Sequence, residues 1–366
     1  MKLSISREAL LKPLQSVIGV VERRQTMPIL ANVLLVARNG GLTVTATDLE
    51  VELVAEAATE KVEVPGEITV PGRKILDITK ALPEGVNIGL QLDGDRLVIK
   101  AGRSRFVLST LPAGEFPLVD KVEAVSRVKL PQKEVARLLD KTQFSMAQQD
   151  VRYYLNGLML ETSKKRLRAV ATDGHRLALC DIAIENQDVT SGQVILPRKG
   201  VVELHRLLGS GEEVELTIGS NHLQASLGGI RFTSKLIDGR FPDYERVIPA
   251  SGIVTLKTGR ETLRGALQRA AILSNEKYRG VRLELGKNIL KIQANNPDQE
   301  EAQDELEVDY AGAAIEIGFN VTYLLDALAA VDGDEVEIDF VDANSSCLIR
   351  PGQGSHTKYV VMPMRL

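Results

Sequence analysis

The 366-residue chain carries 45 Lys and Arg against 49 Asp and Glu, a formal net charge of −4, and 44% of its residues are hydrophobic. This balance is ordinary for a globular protein and excludes a disordered or strongly basic chain. The apolar runs are far shorter than the roughly 18 residues of a membrane span, and Met1–Glu8 has no signal-peptide core. We therefore expect a cytoplasmic protein without membrane contact. The two cysteines, Cys180 and Cys347, are predicted to be buried thiols.

The first third of the chain alternates strand and helix signals. Ser6 can cap a helix over residues 7–21, whose apolar residues recur at helical spacing. An Asn-Gly pair at Asn39 and a tight turn at Asp93–Asp95 each join two apolar runs and predict antiparallel hairpins. A second helix follows Pro71. In the last third, residues 331–334 are expected to form the turn that corresponds to Asp93–Asp95.

One five-residue pattern recurs along the chain. Val-Thr-Ala-Thr-Asp begins at 44, Ala-Val-Ala-Thr-Asp at 169 and Ile-Gln-Ala-Asn-Asn at 292, so the copies start 125 and 123 residues apart. Each copy follows one predicted helix and precedes another. We infer three tandem domains, 1–125, 126–252 and 253–366, each with two helices and mostly antiparallel strands. The predicted fold class is α+β.

Basic residues recur on the three first helices. Their apolar faces point inward, while the other faces carry cations at similar positions, namely Arg7, Lys12, Lys133, Arg137, Lys141, Arg260, Arg264 and Arg269. The second helices of the first two repeats also begin with cations, Arg73-Lys74 and Arg198-Lys199. A cation at a helix N-terminus opposes the helix dipole, which suggests that an anion such as phosphate binds nearby.

Catalytic and metal-binding patterns are absent from the sequence. There is no phosphate-binding glycine loop, no nucleophile elbow and no His or Cys spacing typical of a metal site. Asp48 and Asp173, at the ends of two copies of the repeat, are interpreted as turn residues. The sequence therefore favours a scaffold without cofactor or metal over an enzyme, and a metal-dependent nuclease that uses these two carboxylates stays as an alternative.

Several longer segments carry a family resemblance. They are Gln149–Gly157, Ala171–Ala178, Asp238–Tyr244, Ala271–Leu283 and the C-terminal Val360–Leu366. Together they resemble the β sliding clamp of bacterial DNA polymerase III over the whole chain. The resemblance implies three tandem DNA-clamp domains that form half of a closed six-domain ring, a homodimer. It also implies a non-catalytic processivity factor that encircles double-stranded DNA without sequence specificity and tethers the replicative polymerase catalytic subunit, the clamp loader and other proteins with a clamp-binding motif.

The resemblance also implies three sets of site residues. The DNA-binding set is Arg24, Arg73, Gln149, Tyr153, Tyr154, Arg198, Lys199 and Arg246. The partner-peptide pocket is Arg152, Tyr154, Leu155, Thr172, Gly174, His175, Arg176, Leu177, Pro242, Arg246, Val247, Asn320, Tyr323, Asn344, Val360, Met362, Pro363, Met364 and Arg365. The dimer interface joins Lys74, Arg96, Arg103, Arg105, Phe106 and Leu108 to Ile272, Leu273, Asp298, Glu300, Glu301 and Asp304.

The sequence departs from the family at one position of the pocket and leaves one alternative to the ring. Asn344 stands where close relatives can carry an apolar residue, so this part of the pocket is expected to be more polar. A monomeric adaptor that only binds peptides is also an alternative to the ring, because a peptide pocket does not itself require closure.

Overall fold

The computed structural model describes residues 1–21, 27–38, 40–185, 189–209, 211–249, 253–352 and 354–365. Within these ranges two α-helices fall in each predicted repeat, as the sequence indicated. The helices are α1 (Arg7–Val17), α2 (Gly72–Ala81), α3 (Gln132–Asp140), α4 (Arg198–Leu207), α5 (Arg260–Ala271) and α6 (Val321–Ala330). None of the helices in the described ranges is both long and apolar enough to cross a membrane.

The strands of the described residues pair in antiparallel fashion throughout. In chain order they are β1 (Lys2–Ser6), β2 (Asn32–Arg38), β3 (Gly41–Thr47), β4 (Val51–Ala58), β5 (Lys61–Val64), β6 (Gly66–Pro71), β7 (Asn87–Asp93), β8 (Arg96–Ala101), β9 (Ser104–Ser109), β10 (Ser126–Pro131), β11 (Gly157–Ser163), β12 (Arg166–Thr172), β13 (Arg176–Ala183), β14 (Gly192–Pro197), β15 (Glu213–Ile218), β16 (His222–Leu227), β17 (Ile230–Lys235), β18 (Val254–Gly259), β19 (Gly280–Gly286), β20 (Ile289–Asn295), β21 (Glu301–Glu307), β22 (Ile315–Asn320), β23 (Glu335–Phe340), β24 (Cys347–Arg350) and β25 (Thr357–Val361).

The recurring five-residue pattern ends a strand in all three repeats and forms the same turn in the first two and a longer turn in the third. The Asp48 carboxylate accepts from the backbone N–H groups of the second and third residues after it, and the Asp173 carboxylate does the same. The Asn296 side-chain oxygen accepts from the N–H groups of Asp298 and Glu300. Such bonds replace backbone partners that a turn would otherwise lack. Asp48 and Asp173 are therefore turn residues, as predicted.

The first helix begins where the sequence indicated and ends earlier. The Ser6 hydroxyl accepts from the Ala9 N–H at 3.3 Å, which makes Ser6 the N-cap. The α-helix stops at Val17, and a 3₁₀ turn, Ile18–Val20, continues the chain. The apolar periodicity of residues 7–21 covered both segments because the tighter turn still buries Val20.

The residues of the first compact unit, 1–135 and 199–236, form two sheets. A five-stranded sheet has the order β5-β1-β7-β8-β9, and an eight-stranded sheet has the order β10-β15-β16-β17-β4-β3-β2-β6. The larger sheet joins the first and second repeats, because β4 pairs with β17 and places Leu53 opposite Phe232. Leu10, Leu14 and Val17 of α1 are fully buried in this unit.

The second compact unit, 136–198 and 237–366, repeats this arrangement. Its eight-stranded sheet has the order β14-β11-β12-β13-β25-β24-β23-β18, and a four-stranded sheet has the order β21-β20-β19-β22. Here β13 pairs with β25, so that Ala178 lies opposite Tyr359 and the second and third repeats share a sheet. The middle repeat thus contributes to both units.

Two expectations from the sequence differ from the structure. The turn at residues 331–334 joins α6 to β23 and not two strands. Several predicted exposed cations on the first helices instead bind carbonyl groups: Arg7 binds Thr79 and Lys80, Lys141 binds Ala330, and Arg260 binds Val331. Periodicity identified the polar helix face but not its neighbours. Lys12 and Lys133 remain exposed.

Candidate functional site

An apolar pocket of about 180 Å³ lies in the second unit. Four segments line it: the 3₁₀ turn Tyr153–Leu155, the turn between β12 and β13, the segment from Pro242 to Val247, and the end of β25 with Met362. The backbone fixes the last of these, because the Met362 N–H donates to the His175 carbonyl at 2.9 Å. The pocket is therefore built on paired strands, which hold its walls in place.

The floor of the pocket belongs to a hydrophobic core. Leu155, Leu177 and Val360 are almost fully buried and pack in one cluster with Phe241 and Tyr244. Met362 and Val247 lie half-buried at the opening. Branched aliphatic side chains and a flexible methionine form a surface that can adapt to different apolar side chains.

An ion pair forms one charged rim of the pocket. The Arg152 guanidinium donates to Asp150 at 2.8 and 3.0 Å, and the Arg152 N–H also donates to that carboxylate. These bonds lower the pKa of Asp150 to about 2. Arg152 passes close to Gly174, where a Cβ would lie 2.8 Å from its Nη1, and Gly174 has a φ of +88°. Only glycine meets both requirements without strain.

A second cation, Arg176, is held on several sides. It donates from Nε to Asp173 at 3.1 Å, from Nη1 to Asp326 at 2.5 Å and from Nη2 to the Phe144 carbonyl at 2.7 Å. Its guanidinium also lies 4.5 Å from the ring centre of Tyr323. Burial raises the pKa of Tyr323, so the phenol stays neutral beneath the cation.

A buried polar network supports the wall formed by Tyr244. Arg168 pairs with Asp181 at 2.6 and 2.8 Å and donates to the Tyr244 hydroxyl at 3.0 Å. That hydroxyl donates to Glu161 at 3.2 Å. Because each polar group has a partner, the network fixes the tyrosine without leaving an unpaired charge beside the core.

Eleven residues of the predicted pocket line the cavity together. They are Arg152, Tyr154, Leu155, Thr172, Gly174, Arg176, Leu177, Pro242, Val247, Val360 and Met362. Asp243 and Tyr244 also line it and were not predicted, although the segment Asp238–Tyr244 carried the signal.

The other predicted pocket residues lie outside this cavity. Tyr323 does not line the cavity, but its ring contacts Arg176, which does. Asn320 caps α6 by accepting from the Thr322 and Tyr323 N–H groups. His175, Arg246, Asn344 and Arg365 are exposed, while Pro363 and Met364 are half-buried. Asn344 donates its N–H to Asp342 in a turn.

The predicted DNA-binding residues differ in their exposure. Gln149 and Tyr153 are exposed on one loop, and the Tyr153 ring meets Tyr154 edge-on with centroids 5.8 Å apart. Arg73 is exposed but donates to the Val21 carbonyl, and Arg246 pairs with Asp243 at 2.7 Å. Arg198 is half-buried, and Lys199 pairs with the buried Asp48. Arg24 lies outside the described residues.

The predicted interface residues lie on or just before the edge strands β9 and β21 and on nearby segments, namely α2, the start of β8 and the residues that follow α5. Arg96, Arg103, Arg105 and Lys74 are exposed, and Phe106 is half-buried on β9, an edge strand. Asp298, Glu300 and Glu301 are exposed at the start of the edge strand β21, where Asp304 pairs with Arg269 at 2.6 Å. Ile272 is 76% exposed, Leu273 is half-buried and Leu108 is buried.

Nothing in the described ranges forms a cluster of His, Cys, Asp and Glu able to hold a metal ion. Asp48 and Asp173 are committed to turns. The apolar pocket and the exposed charged residues described above can bind apolar side chains and charged surfaces reversibly.

Comparison with known proteins identifies a family of DNA clamps. Models of the DNA polymerase III beta subunit match residues 1–120 (N-terminal domain), 129–243 (central domain) and 245–365 (C-terminal domain). The beta sliding clamps of Pseudomonas putida KT2440 and Escherichia coli K12 are 54% and 52% identical to the chain, each over the full length of both proteins. The crystal structure of the DNA polymerase III subunit beta from Pseudomonas aeruginosa superposes with a TM-score of 0.97 at 53% identity, and that of Caulobacter crescentus pol III beta with 0.96 at 42%, both covering the full length of each chain.

The chain therefore belongs to the DNA polymerase III beta subunit family. It is a sliding clamp with three tandem clamp domains, a non-catalytic processivity subunit. The adaptor and nuclease alternatives find no support in these similarities.

Proposed function

We propose that two copies of this chain close head to tail into a ring around duplex DNA and that the apolar pocket holds the replicative polymerase and the clamp loader, in the cytoplasm. The observation that carries the proposal is a pair of unmatched sheet edges, β9 at one end of the chain and β21 near the other. The strands equivalent to β9 and β21 in the other repeats pair with each other across the two junctions between repeats.

The two junctions between repeats have the same design. The fourth strand of one repeat, in chain order, pairs with the last strand of the following repeat, β4 with β17 and β13 with β25. In the third repeat the corresponding strand is β21, and in the first repeat the corresponding last strand is β9. Among the described residues β21 pairs only with β20, and we propose that β9 of a second copy pairs with its other edge. An unpaired edge is a ready template for such pairing.

The internal junctions also give the register. An aromatic residue lies opposite a smaller one at both, Phe232 opposite Leu53 and Tyr359 opposite Ala178. The equivalent residues are Phe106 on β9 and Ala302 on β21. We therefore propose that Phe106 lies opposite Ala302 of a second copy, which places Arg105 opposite Gln303. Phe232 and Tyr359 are almost fully buried, whereas Phe106 still has area to lose on association.

The opposite charges of the two strand edges also support pairing of β9 with β21 of a second copy. The β9 edge carries exposed Arg96, Arg103 and Arg105, and the β21 edge carries Glu300 and Glu301. Complementary charge on two edges speeds encounter and disfavours pairing of β9 with β9 or of β21 with β21.

Duplex DNA would be held by contacts to its phosphates, which need no base recognition. We propose that Gln149, Tyr153 and Tyr154 approach the duplex from their shared loop and that Arg24, Arg73 and Arg246 add cations. Lys199 is the weaker member of this set because Asp48 already neutralises it, and Arg198 is half-buried.

The pocket would bind a short, mostly apolar peptide segment from the partner protein. Leu155, Leu177 and Val360 offer the apolar floor, while Arg152 and Arg176 offer donors for peptide carbonyls at the rim. We propose that Asn320, Tyr323, Met364 and Arg365 extend this surface for residues that precede the apolar anchor.

Cysteine crosslinking tests the ring. A chain with both Arg105→Cys and Gln303→Cys should oxidise to a covalently closed dimer with two crosslinks, since these exposed positions are opposed in the proposed register. A chain with Arg105→Cys and Glu301→Cys, shifted by two residues, should crosslink much less. Monomeric product from both, or equal yields from both, would refute the proposed pairing. Native thiols interfere little, because burial raises the pKa of Cys180 to about 11 and that of Cys347 to about 12.

A further inference from the structure

An acidic residue recurs at one position of the second helix in every repeat. Counting from the last residue of the preceding strand, Pro71, Pro197 or Asn320, it is the sixth residue: Asp77, Glu203 and Asp326. Glu203 lies against the turn that follows the first helix of the neighbouring repeat, and Asp326 is linked to the equivalent turn through Arg176.

Glu203 forms an ion pair with Arg206 in the first unit, and the arginine also binds the end of α1. We call such a pair, an acid with a cation that binds the end of a first helix, a clip. Arg206 donates to Glu203 at 2.9 and 3.0 Å. It also donates from Nη2 to the Ser16 carbonyl at 2.6 Å and from Nη1 to the Gln15 carbonyl at 3.4 Å. The Glu203 carboxylate lies against Gly19, where a Cβ would be 2.2 Å from Oε2. A cation thus binds the C-terminal carbonyls of α1, where the helix dipole favours it.

Asp326 has the equivalent role in the second unit. It accepts from Arg176, which also donates to the carbonyl of Phe144, in the 3₁₀ turn that follows α3. Counting from the ends of the preceding strands, Ser6 and Pro131, Gln143 corresponds to Ile18 and Phe144 to Gly19. In both internal junctions an acid on the second helix binds an arginine that donates to a carbonyl at or just after the end of the preceding repeat's first helix. The arginine is on the same helix as the acid in the first junction, Arg206, and on β13 of the preceding repeat in the second, Arg176.

Asp77 and Lys80 stand where Glu203 and Arg206 stand, and both are exposed on α2. Neither side chain has a hydrogen-bond or ion-pair partner among the described residues. We propose that they form the third copy of this clip, between two copies of the chain, and this inference rests on the proposed ring. Lys80 Nζ would donate to the carbonyls of Gln268 and Arg269 at the end of the other copy's α5.

The residue sizes agree with this assignment. Ile272 follows α5 at the position of Gly19, and it is 76% exposed. The long Glu203 fits only because Gly19 has no side chain, whereas the shorter Asp77 leaves room for an isoleucine. The position of the clip also agrees with the proposed pairing of β9 with β21, which was inferred from strands alone.

The test is the dimer dissociation constant, measured by sedimentation of the full-length chain over a dilution series. Lys80→Glu should raise it about tenfold or more, the loss expected when a charge-assisted hydrogen bond is replaced by repulsion from carbonyls. Lys287→Glu, the same charge change on an exposed hairpin turn, is the matched control and should leave it within about twofold. Lys80→Arg recreates the residue of the second repeat and should retain or tighten the dimer.

A double-mutant cycle separates a clip from two independent charges. Asp77→Ala and Lys80→Ala should each weaken the dimer, and the double variant should be little weaker than either single one. If the wild-type chain is monomeric, the proposed ring itself fails. If it is dimeric and Lys80→Glu behaves like Lys287→Glu, the ring stands and the clip is wrong.

Discussion

Arg176 Nη1 donates to the Asp326 carboxylate at 2.5 Å, which ties a rim residue of the peptide pocket to helix α6. The same guanidinium is stacked on Tyr323. The orientation of the rim cation therefore depends on a helix that does not line the cavity, and substitutions on that helix should alter peptide binding from outside the pocket.

Asp326→Asn should weaken peptide binding about fivefold while the protein stays folded. The neutral amide keeps the shape but loses the charge that holds Arg176, and Asp326 is 38% exposed, so solvent moderates the loss. Fluorescence polarisation with a labelled peptide from a replicative polymerase measures the effect. Asp334→Asn, the same change on an exposed turn, is the control. Equal affinity in both variants would show that Asp326 does not orient the rim.

Asp181→Ala should lower the free energy of unfolding by about 3 kcal/mol. It removes the partner of Arg168, whose side chain is only 11% exposed, and leaves that charge buried. Glu67→Ala breaks the exposed pair with Arg38 and should cost under about 1 kcal/mol. Urea denaturation compares the two variants. A cost for Asp181→Ala no greater than that for Glu67→Ala would contradict a buried supporting network.

The two thiols should make stability fall at alkaline pH. Burial raises the pKa of Cys180 from 9.0 to about 11 and that of Cys347 to about 12, so the unfolded chain loses these protons at lower pH than the folded one. Their contribution is full below pH 9 and declines as pH rises toward 11 and 12. The double variant with both cysteines changed to Ala should show a shallower decline between pH 9 and 11 in denaturant titrations. A decline as steep as that of the wild-type chain would contradict this origin.

Gln149→Gly should reduce retention on DNA without a loss of stability. Gln149 has a φ of +56°, a conformation that glycine adopts freely, so this substitution removes the side chain without straining the loop. Gln149→Ala removes the same side chain but keeps a Cβ in that strained conformation. Both variants should load less well in a clamp-loading assay. Normal loading of Gln149→Gly would remove this residue from the DNA-binding set.

The local parts of the fold were predictable from sequence, because they depend on neighbouring residues. The turns at Asp48 and Asp173, the cap at Ser6 and the existence of two helices per repeat follow from short patterns. The pairing of β4 with β17 joins segments far apart in the chain, and no periodicity encodes it. The residues named from the resemblance include eleven that line the cavity but not Tyr244, whose position depends on Arg168 and Glu161.

The basic residues show most clearly which contacts a sequence pattern does not predict. Arg7, Lys141 and Arg260 look like an exposed cationic face in sequence, yet each binds carbonyl groups in the structure. The sequence suggested a bound anion such as phosphate beside Lys199, and in the structure Lys199 pairs with the chain's own Asp48. Charge pattern alone does not distinguish a ligand from a neighbouring side chain.

Retention on DNA of defined topology tests the central claim most directly. The protein is loaded by its clamp loader onto a nicked circular plasmid, separated from free protein by gel filtration, and the plasmid is then linearised. A closed ring held by topology stays with the circle and is lost after linearisation, at a rate that blocking both DNA ends reduces. Equal retention on circular and linear DNA, or none on the circle, would contradict a sliding clamp.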